Sequence, residues 1–153
     1  MHTPALAHVV NTFRFAVTAP FDRVSPMFAP ETERTWAGKH WNPVFAWPQP
    51  GKDVQGAVFT VAHGPHTSTW ITTLFDVHAG RMQYVSIIDQ VVATIVDVHV
   101  TATDPSHTAV EVTYSRTALD AAHNDDVTAM GESDLTSGPD WQHSIEAALH
   151  LAP

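Results

Sequence analysis

Seven Lys and Arg face sixteen Asp and Glu in 153 residues, a formal charge of -9 with the histidines neutral. Such a surface repels phosphate backbones and anionic lipid, which excludes nucleic acid as a partner class. The chain has no cysteine, so disulfide frameworks, thiolate nucleophiles and thiolate metal sites are excluded as well, and the fold rests on packing alone.

The length suits one domain over residues 1–153, burying roughly 70% of the surface its unfolded chain would expose. The opening MHTPALAHVV has no basic n-region, and no run approaches the ~18 apolar residues of a membrane helix. The expectation is a cytoplasmic protein with no membrane insertion.

From Ala7 to Val17, the residues Val9, Phe13, Phe15 and Val17 share one parity, which predicts a half-buried strand. Pro20 then suits the first position of a short helix carrying Phe21, Val24 and Phe28, and Pro26 should kink or end it. A second short helix is expected from Pro30, with Glu31 and Glu33 in its first turn as charges favourable to the helix dipole and Trp36 at its close. Pro43 to Gly56, with Pro43, Pro48, Pro50 and Gly51, reads as loop.

The stretch from Ala57 to Ala118 organises the chain. Val, Ile, Thr, Phe, Tyr and Trp fill its runs, and His63-Gly64-Pro65-His66, His78-Ala79-Gly80 and Asp104-Pro105-Ser106-His107 separate them, the pattern of an antiparallel meander. Val92, Thr94, Val96, Val98 and Val100 form one face of a strand, opposite Asp97 and His99. Met82 with Tyr84, and Val110 with Val112 and Tyr114, repeat the division, which predicts a sheet covered on one side. Through Trp70 both parities are mixed and no face can be assigned.

The cover should be the C-terminal segment, where Val127, Met130, Gly131, Asp134, Gly138, Trp141, Ile145, Ala148 and Leu149 fall in one helical stripe. Two readings stay open: one long helix kinked at Pro139, or two helices with Ser137 capping the second. Glycines in the stripe either let backbones approach or leave open space. Asp134, in the middle of it, needs a partner or water.

Several segments in this order resemble a known family. They are VSPMFAPETERTW (Val24 to Trp36), WNP (Trp41 to Pro43), GAVFTVAHG (Gly56 to Gly64), TWITTLFD (Thr69 to Asp76), MQYVSI (Met82 to Ile87) and TAVEVTYSRTAL (Thr108 to Leu119). From about Phe13 to Ala148 the chain is similar to the START-like, or SRPBCC, superfamily of polyketide-cyclase-like and pollen-allergen-like proteins, among its small bacterial members of unassigned function. The resemblance implies an α+β helix-grip fold: a curved antiparallel sheet of about seven strands, two short helices near the N-terminus, and a long C-terminal helix, kinked or broken, over the sheet. It carries no fixed function, because the superfamily hosts carriers, cyclases and cochaperones. Gly131, Gly138 and Pro139 depart from it, at positions where such relatives usually keep an unbroken, apolar helix.

The candidate site follows from placing side chains in that fold. Trp36, Trp41, His63, Trp70, Tyr84, Tyr114, Asp134 and Trp141 can face the space between sheet and helix, as an apolar pocket with a few oriented polar groups or as a core filled by its own aromatics. The pocket reading predicts binding of a hydrophobic or aromatic small molecule. An enzyme of cyclase or hydrolase type, with Asp134 or His63 as acid or base, is the first alternative, and a cochaperone-like protein-binding role, with an exposed apolar patch, the second. His63-x-x-His66 flanks a turn and lacks a third ligand, so no metal is expected, and nothing indicates a cofactor. Oligomeric state is left open, a homodimer included.

Overall fold

The computed structural model describes residues 4–151. Strand β1 (His8–Val17) follows the alternation of its sequence, with Phe13, Phe15 and Val17 buried. Pro20 precedes helix α1 (Phe21–Val24), which tightens at Pro26 into a 3₁₀ turn, Ser25–Phe28. Proline lacks the N–H for a continued α-helix, and its ring would meet the carbonyl four residues back. The second predicted helix is a single 3₁₀ turn, Thr32–Thr35, closed by Trp36. Asp53 holds its start from outside, accepting the Glu31 N–H at 2.9 Å and the Thr32 hydroxyl at 3.3 Å.

Six further strands complete the sheet: β2 (Val44–Trp47), β3 (Val58–His63), β4 (His66–Asp76), β5 (Arg81–Ile88), β6 (Val92–Asp104) and β7 (His107–Ala118). All pairs are antiparallel, in the order β1-β7-β6-β5-β4-β3-β2. The stretch expected as loop between Pro43 and Gly56 therefore contains β2. This short edge strand buries Phe45 and stops before Pro48, which cannot donate to a ladder. The meander turns fall where the sequence places them. Gly64 takes φ +58° in the two-residue β3–β4 loop, as a type II′ turn requires of its first central residue. Gly80, at φ +69°, lies so close to Val100 that an added Cβ would sit 2.2 Å from its carbonyl oxygen.

The mixed parity around Trp70 has a cause. Thr72 pairs with Tyr84 but Leu74 pairs with Gln83, so Thr73 is an extra residue in a β-bulge. Before it Ser68, Trp70 and Thr72 face inward; after it Phe75, opposite Met82, does so. A one-residue insertion exchanges the faces.

The C-terminal segment forms two helices, α2 (Asn124–Asp134) and α3 (Gly138–Leu151), the second of the two readings. The stripe keeps its phase across the break: Val127, Gly131, Asp134, Gly138, Ile145 and Leu149 are all buried. Ser137 does not cap α3 with its side chain, which donates back to the Ser133 carbonyl. Its carbonyl instead accepts the Trp141 N–H at 3.0 Å.

The stripe glycines resolve to close approach. A Cβ on Gly131 would lie 2.7 Å from Asn11 Nδ2 and 2.8 Å from Val9 Cγ2, and one on Gly138 would lie 3.3 Å from the Arg14 carbonyl oxygen. Both glycines lay the helices on β1, and α2 also meets β7. The inner face of β4, β5 and β6 is left for other elements to cover.

The outer face is not uniformly wet. Trp47 stands opposite Val58, Val58 opposite Ile71, Ile71 opposite Val85 and Val85 opposite Ile95, a row of apolar side chains across five strands. Trp47 is 55% exposed, Ile71 42% and Ile95 41%. The protein-binding alternative predicted an exposed apolar patch in place of a cavity, and the molecule has both.

Candidate functional site

Inward alternation of the central strands aligns Tyr84, Val96 and Tyr114 across β5, β6 and β7, and Trp70, Ser86, Thr94 and Arg116 in the next row from β4 to β7. These side chains floor a partly open cavity of about 730 Å³. Its far wall comes from the Pro30–Trp41 segment and from Trp141 and Ser144 of α3, and its mouth carries His40, His63 and His66.

Seven of the eight sequence candidates line this cavity: Trp36, Trp41, His63, Trp70, Tyr84, Tyr114 and Trp141. The aromatics do two things. They pack on one another in two groups, Trp36 edge-to-face with Trp141 at 5.1 Å, and Trp41 edge-to-face with Trp70 at 5.5 Å with Phe59 parallel to Trp70 at 5.9 Å, and they leave the cavity open. Most of their polar atoms are committed. The Trp36 N–H donates to the Met27 carbonyl at 2.8 Å, the Trp41 N–H to the Pro30 carbonyl at 2.9 Å, and the Tyr84 hydroxyl to the Phe28 carbonyl. Burial, then the nearby Glu33 and Asp53, raise the Tyr84 pKa well above the phenol range, so it stays a donor.

Asp134 is the candidate that does not line the cavity. Its carboxylate takes a two-pronged bond from Arg116, Nε to Oδ2 and Nη2 to Oδ1, both at 2.8 Å. The guanidinium continues to Thr94 Oγ1 at 3.3 Å and lies 4.6 Å over the Tyr114 ring. This pair ties α2 to β7, and it is the partner that a buried carboxylate in an apolar stripe demands.

His63 stands at the mouth, exposed, with Nε2 at 2.8 Å from Ser68 Oγ. Ser68 Oγ also accepts the Trp70 N–H at 2.8 Å and gives its one hydrogen to the Val61 carbonyl at 3.2 Å. Nε2 must therefore carry the proton, which leaves Nδ1 as an acceptor. Desolvation, with His40 and His66 nearby, lowers the His63 pKa, and the ring is neutral at pH 7. Among the described residues no cluster of His, Asp and Glu is arranged to hold a metal ion.

The cavity-lining acid that sequence reasoning missed is Glu33. Expected only as a first-turn charge favourable to the helix dipole, it lines the cavity, and among the described residues its carboxyl has neither hydrogen-bond partner nor ion pair. The residue as a whole is only half-buried, but burial of its carboxyl, then the charge of Asp53, push its pKa from 4.5 up to about 8, which favours the neutral acid at pH 7. The signal was present in the sequence. A 3₁₀ turn repeats every three residues, and Pro30, Glu33 and Trp36 are three apart on its cavity side. An α-helical period also brings residues three apart to one side, so either period groups Glu33 with Pro30 and Trp36.

By sequence the chain matches no family model, and no curated protein matches it. Its fold does match solved structures. Norcoclaurine synthase from Thalictrum flavum, in complex with dopamine and hydroxybenzaldehyde, superposes with a TM-score of 0.67 at 15% identity over 97% of this chain and 90% of that one. An uncharacterised protein from Rhizobium leguminosarum gives 0.66 at 16% over 97% and 98%. DynU16, from the dynemicin biosynthetic locus, gives 0.58 at 14% over 93% of this chain and 47% of its own. At such identities the likeness speaks for architecture alone. With seven antiparallel strands and two C-terminal helices packed on one side of the sheet, this chain has a helix-grip fold.

Proposed function

We propose that the protein binds a hydrophobic or aromatic small molecule in the cavity between the sheet, the Pro30–Trp41 segment and α3. The observation that carries this reading is the cavity itself. About 730 Å³ lies within the range of small-molecule sites, and its walls combine aromatic faces with a few oriented polar groups. A similar fold in norcoclaurine synthase is solved with two small aromatic molecules, dopamine and hydroxybenzaldehyde, which supports the same use here. Native mass spectrometry of the purified protein, compared with the same sample denatured, tests it: an organic mass lost on denaturation is expected. A bare chain that also leaves the fluorescence of its tryptophans unchanged by aromatic probes would refute it.

Glu33 favours a second reading, a proton-transfer enzyme acting on the bound molecule. A carboxylic acid with a pKa about 8 and no partner among the described residues is suited to exchanging a proton near neutral pH. Asp134, tied to Arg116, is not. If the recovered ligand is turned over by the wild type and not by Glu33→Gln while both bind it, this reading stands; equal turnover removes it.

A further inference from the structure

The cavity wall holds a surplus of hydrogen-bond donors. Trp36, Trp41, Trp70 and Tyr84 each give their N–H or O–H to a protein acceptor. The Tyr114 hydroxyl, the Trp141 indole N–H and the Glu33 carboxyl have no such partner among the described residues, and all three residues line the same cavity. With no partner within the chain, these groups are left to water or to a ligand in the partly open cavity.

Two of these groups are fixed as donors at neutral pH. Glu33 keeps its proton up to about pH 8, and burial raises the Tyr114 pKa far above neutrality although Arg116 draws it down. Glu33 is close enough to Tyr114 for its charge to raise the phenol further. The other titratable and charged groups around Glu33 are Asp53 beside the 3₁₀ turn, Tyr84 on β5, Arg116 on β7, Asp140 on α3 and the three histidines of the mouth. On its own turn, Glu31 and Arg34 pair with each other. A cationic ligand would have to ionise Glu33 while sharing the wall with Arg116. A neutral acceptor oxygen needs neither concession.

Building on the aromatic-ligand reading, we infer that the ligand is an aromatic ketone or related carbonyl compound, its oxygen taken by the Glu33 carboxyl and the Tyr114 hydroxyl as paired donors. The aromatic side chains hold the ring system, and the donor pair selects the carbonyl. Acidic and phenolic donors sharing one oxygen favour the build-up of negative charge there.

The test uses two probes of nearly equal size, 2-acetylnaphthalene and 2-ethylnaphthalene, titrated against the intact protein by tryptophan fluorescence. Below neutral pH the ketone should bind about tenfold more tightly, and the preference should shrink as pH rises past about 8. Tyr114→Phe and Glu33→Met should each reduce it severalfold. Glu33→Gln keeps a donor and cannot ionise, so it should retain the preference and lose its pH dependence; it also guards against a Glu33→Met variant that fails to fold. Equal binding of the two probes overturns the donor pair and leaves an aromatic cavity standing, whereas binding of neither overturns the aromatic reading beneath it. A stronger preference for 2-naphthylmethylamine that grows above pH 8 would also overturn the inference, in favour of a cation site.

Discussion

Glu33→Gln removes one proton-binding group from the cavity wall while keeping its shape, and its effect on stability follows from linkage. In the unfolded chain Glu33 ionises near 4.5, and in the folded protein near 8. Between those values the folded state binds more protons than the unfolded state, so this residue's contribution to stability is fully present below about pH 4.5 and is lost as pH rises through 8. Each pH unit across the window removes about 1.4 kcal/mol, which sums to at most about 5 kcal/mol over the interval, and to about 3 kcal/mol between roughly pH 5 and pH 7.5. For a domain of this size that corresponds to roughly 6–12 °C in Tm. Other groups titrate in the same range, including the eleven histidines. The informative quantity is therefore the difference between wild type and Glu33→Gln, measured by urea denaturation at a series of pH values. Expected is a variant that gains on the wild type progressively from pH 5 to pH 8, the gap levelling above. Parallel curves would refute the reasoning, because they would mean that Glu33 titrates as it does in water.

Three further substitutions probe the elements that hold the cavity. Arg116→Leu should cost about 3–5 kcal/mol in urea denaturation by leaving the Asp134 carboxylate buried and unpaired, and adding Asp134→Leu should recover most of the loss. Thr72 Oγ1 is buried with no hydrogen-bond partner, so Thr72→Val, of the same shape, should stabilise the protein by about 1 kcal/mol in the same assay. Gly131→Ala should lose about 1 kcal/mol despite the better helix propensity of alanine, because its Cβ would fall 2.7 Å from Asn11 Nδ2 and 2.8 Å from Val9 Cγ2; trimming both neighbours, with Val9→Ala and Asn11→Ala in the same chain, should make the same substitution close to neutral, read as Tm.

The parts of the molecule legible in the sequence are those where one period governs a whole element. The valine face of β6 is buried as its alternation requires, and the apolar stripe of α2 and α3 keeps its phase across the break between them. Legibility fails where the period changes inside an element. One extra residue at Thr73 exchanges the faces of β4, and no propensity marks it, because Thr72, Thr73 and Leu74 are all ordinary strand residues. The four-residue β2 is hidden among prolines for the related reason that an edge strand needs too few residues to show any alternation.

The site was legible in part. Five aromatic candidates, with Tyr84 and His63, were identifiable because bulky side chains on inward positions must either fill or line a space. Asp134 attracted attention as an acid in an apolar stripe, yet that very position demanded a partner, and Arg116, inward on β7 by the parity that already placed Val112 and Tyr114, supplies it. An acid whose partner can be found in the sequence is a structural acid. Glu33 is the converse case. Arg34 is taken up by Glu31 and the Pro43 carbonyl, Lys39 is exposed, and among the described residues the one Arg or Lys in the cavity wall, Arg116, is bound to Asp134. In a chain of sixteen acids and seven bases some carboxyl groups must go without a counter-charge. One that is also carried inward by a three-residue period beside two tryptophans can avoid the cost of burial only by keeping its proton, and a proton held in that way remains available to whatever occupies the cavity.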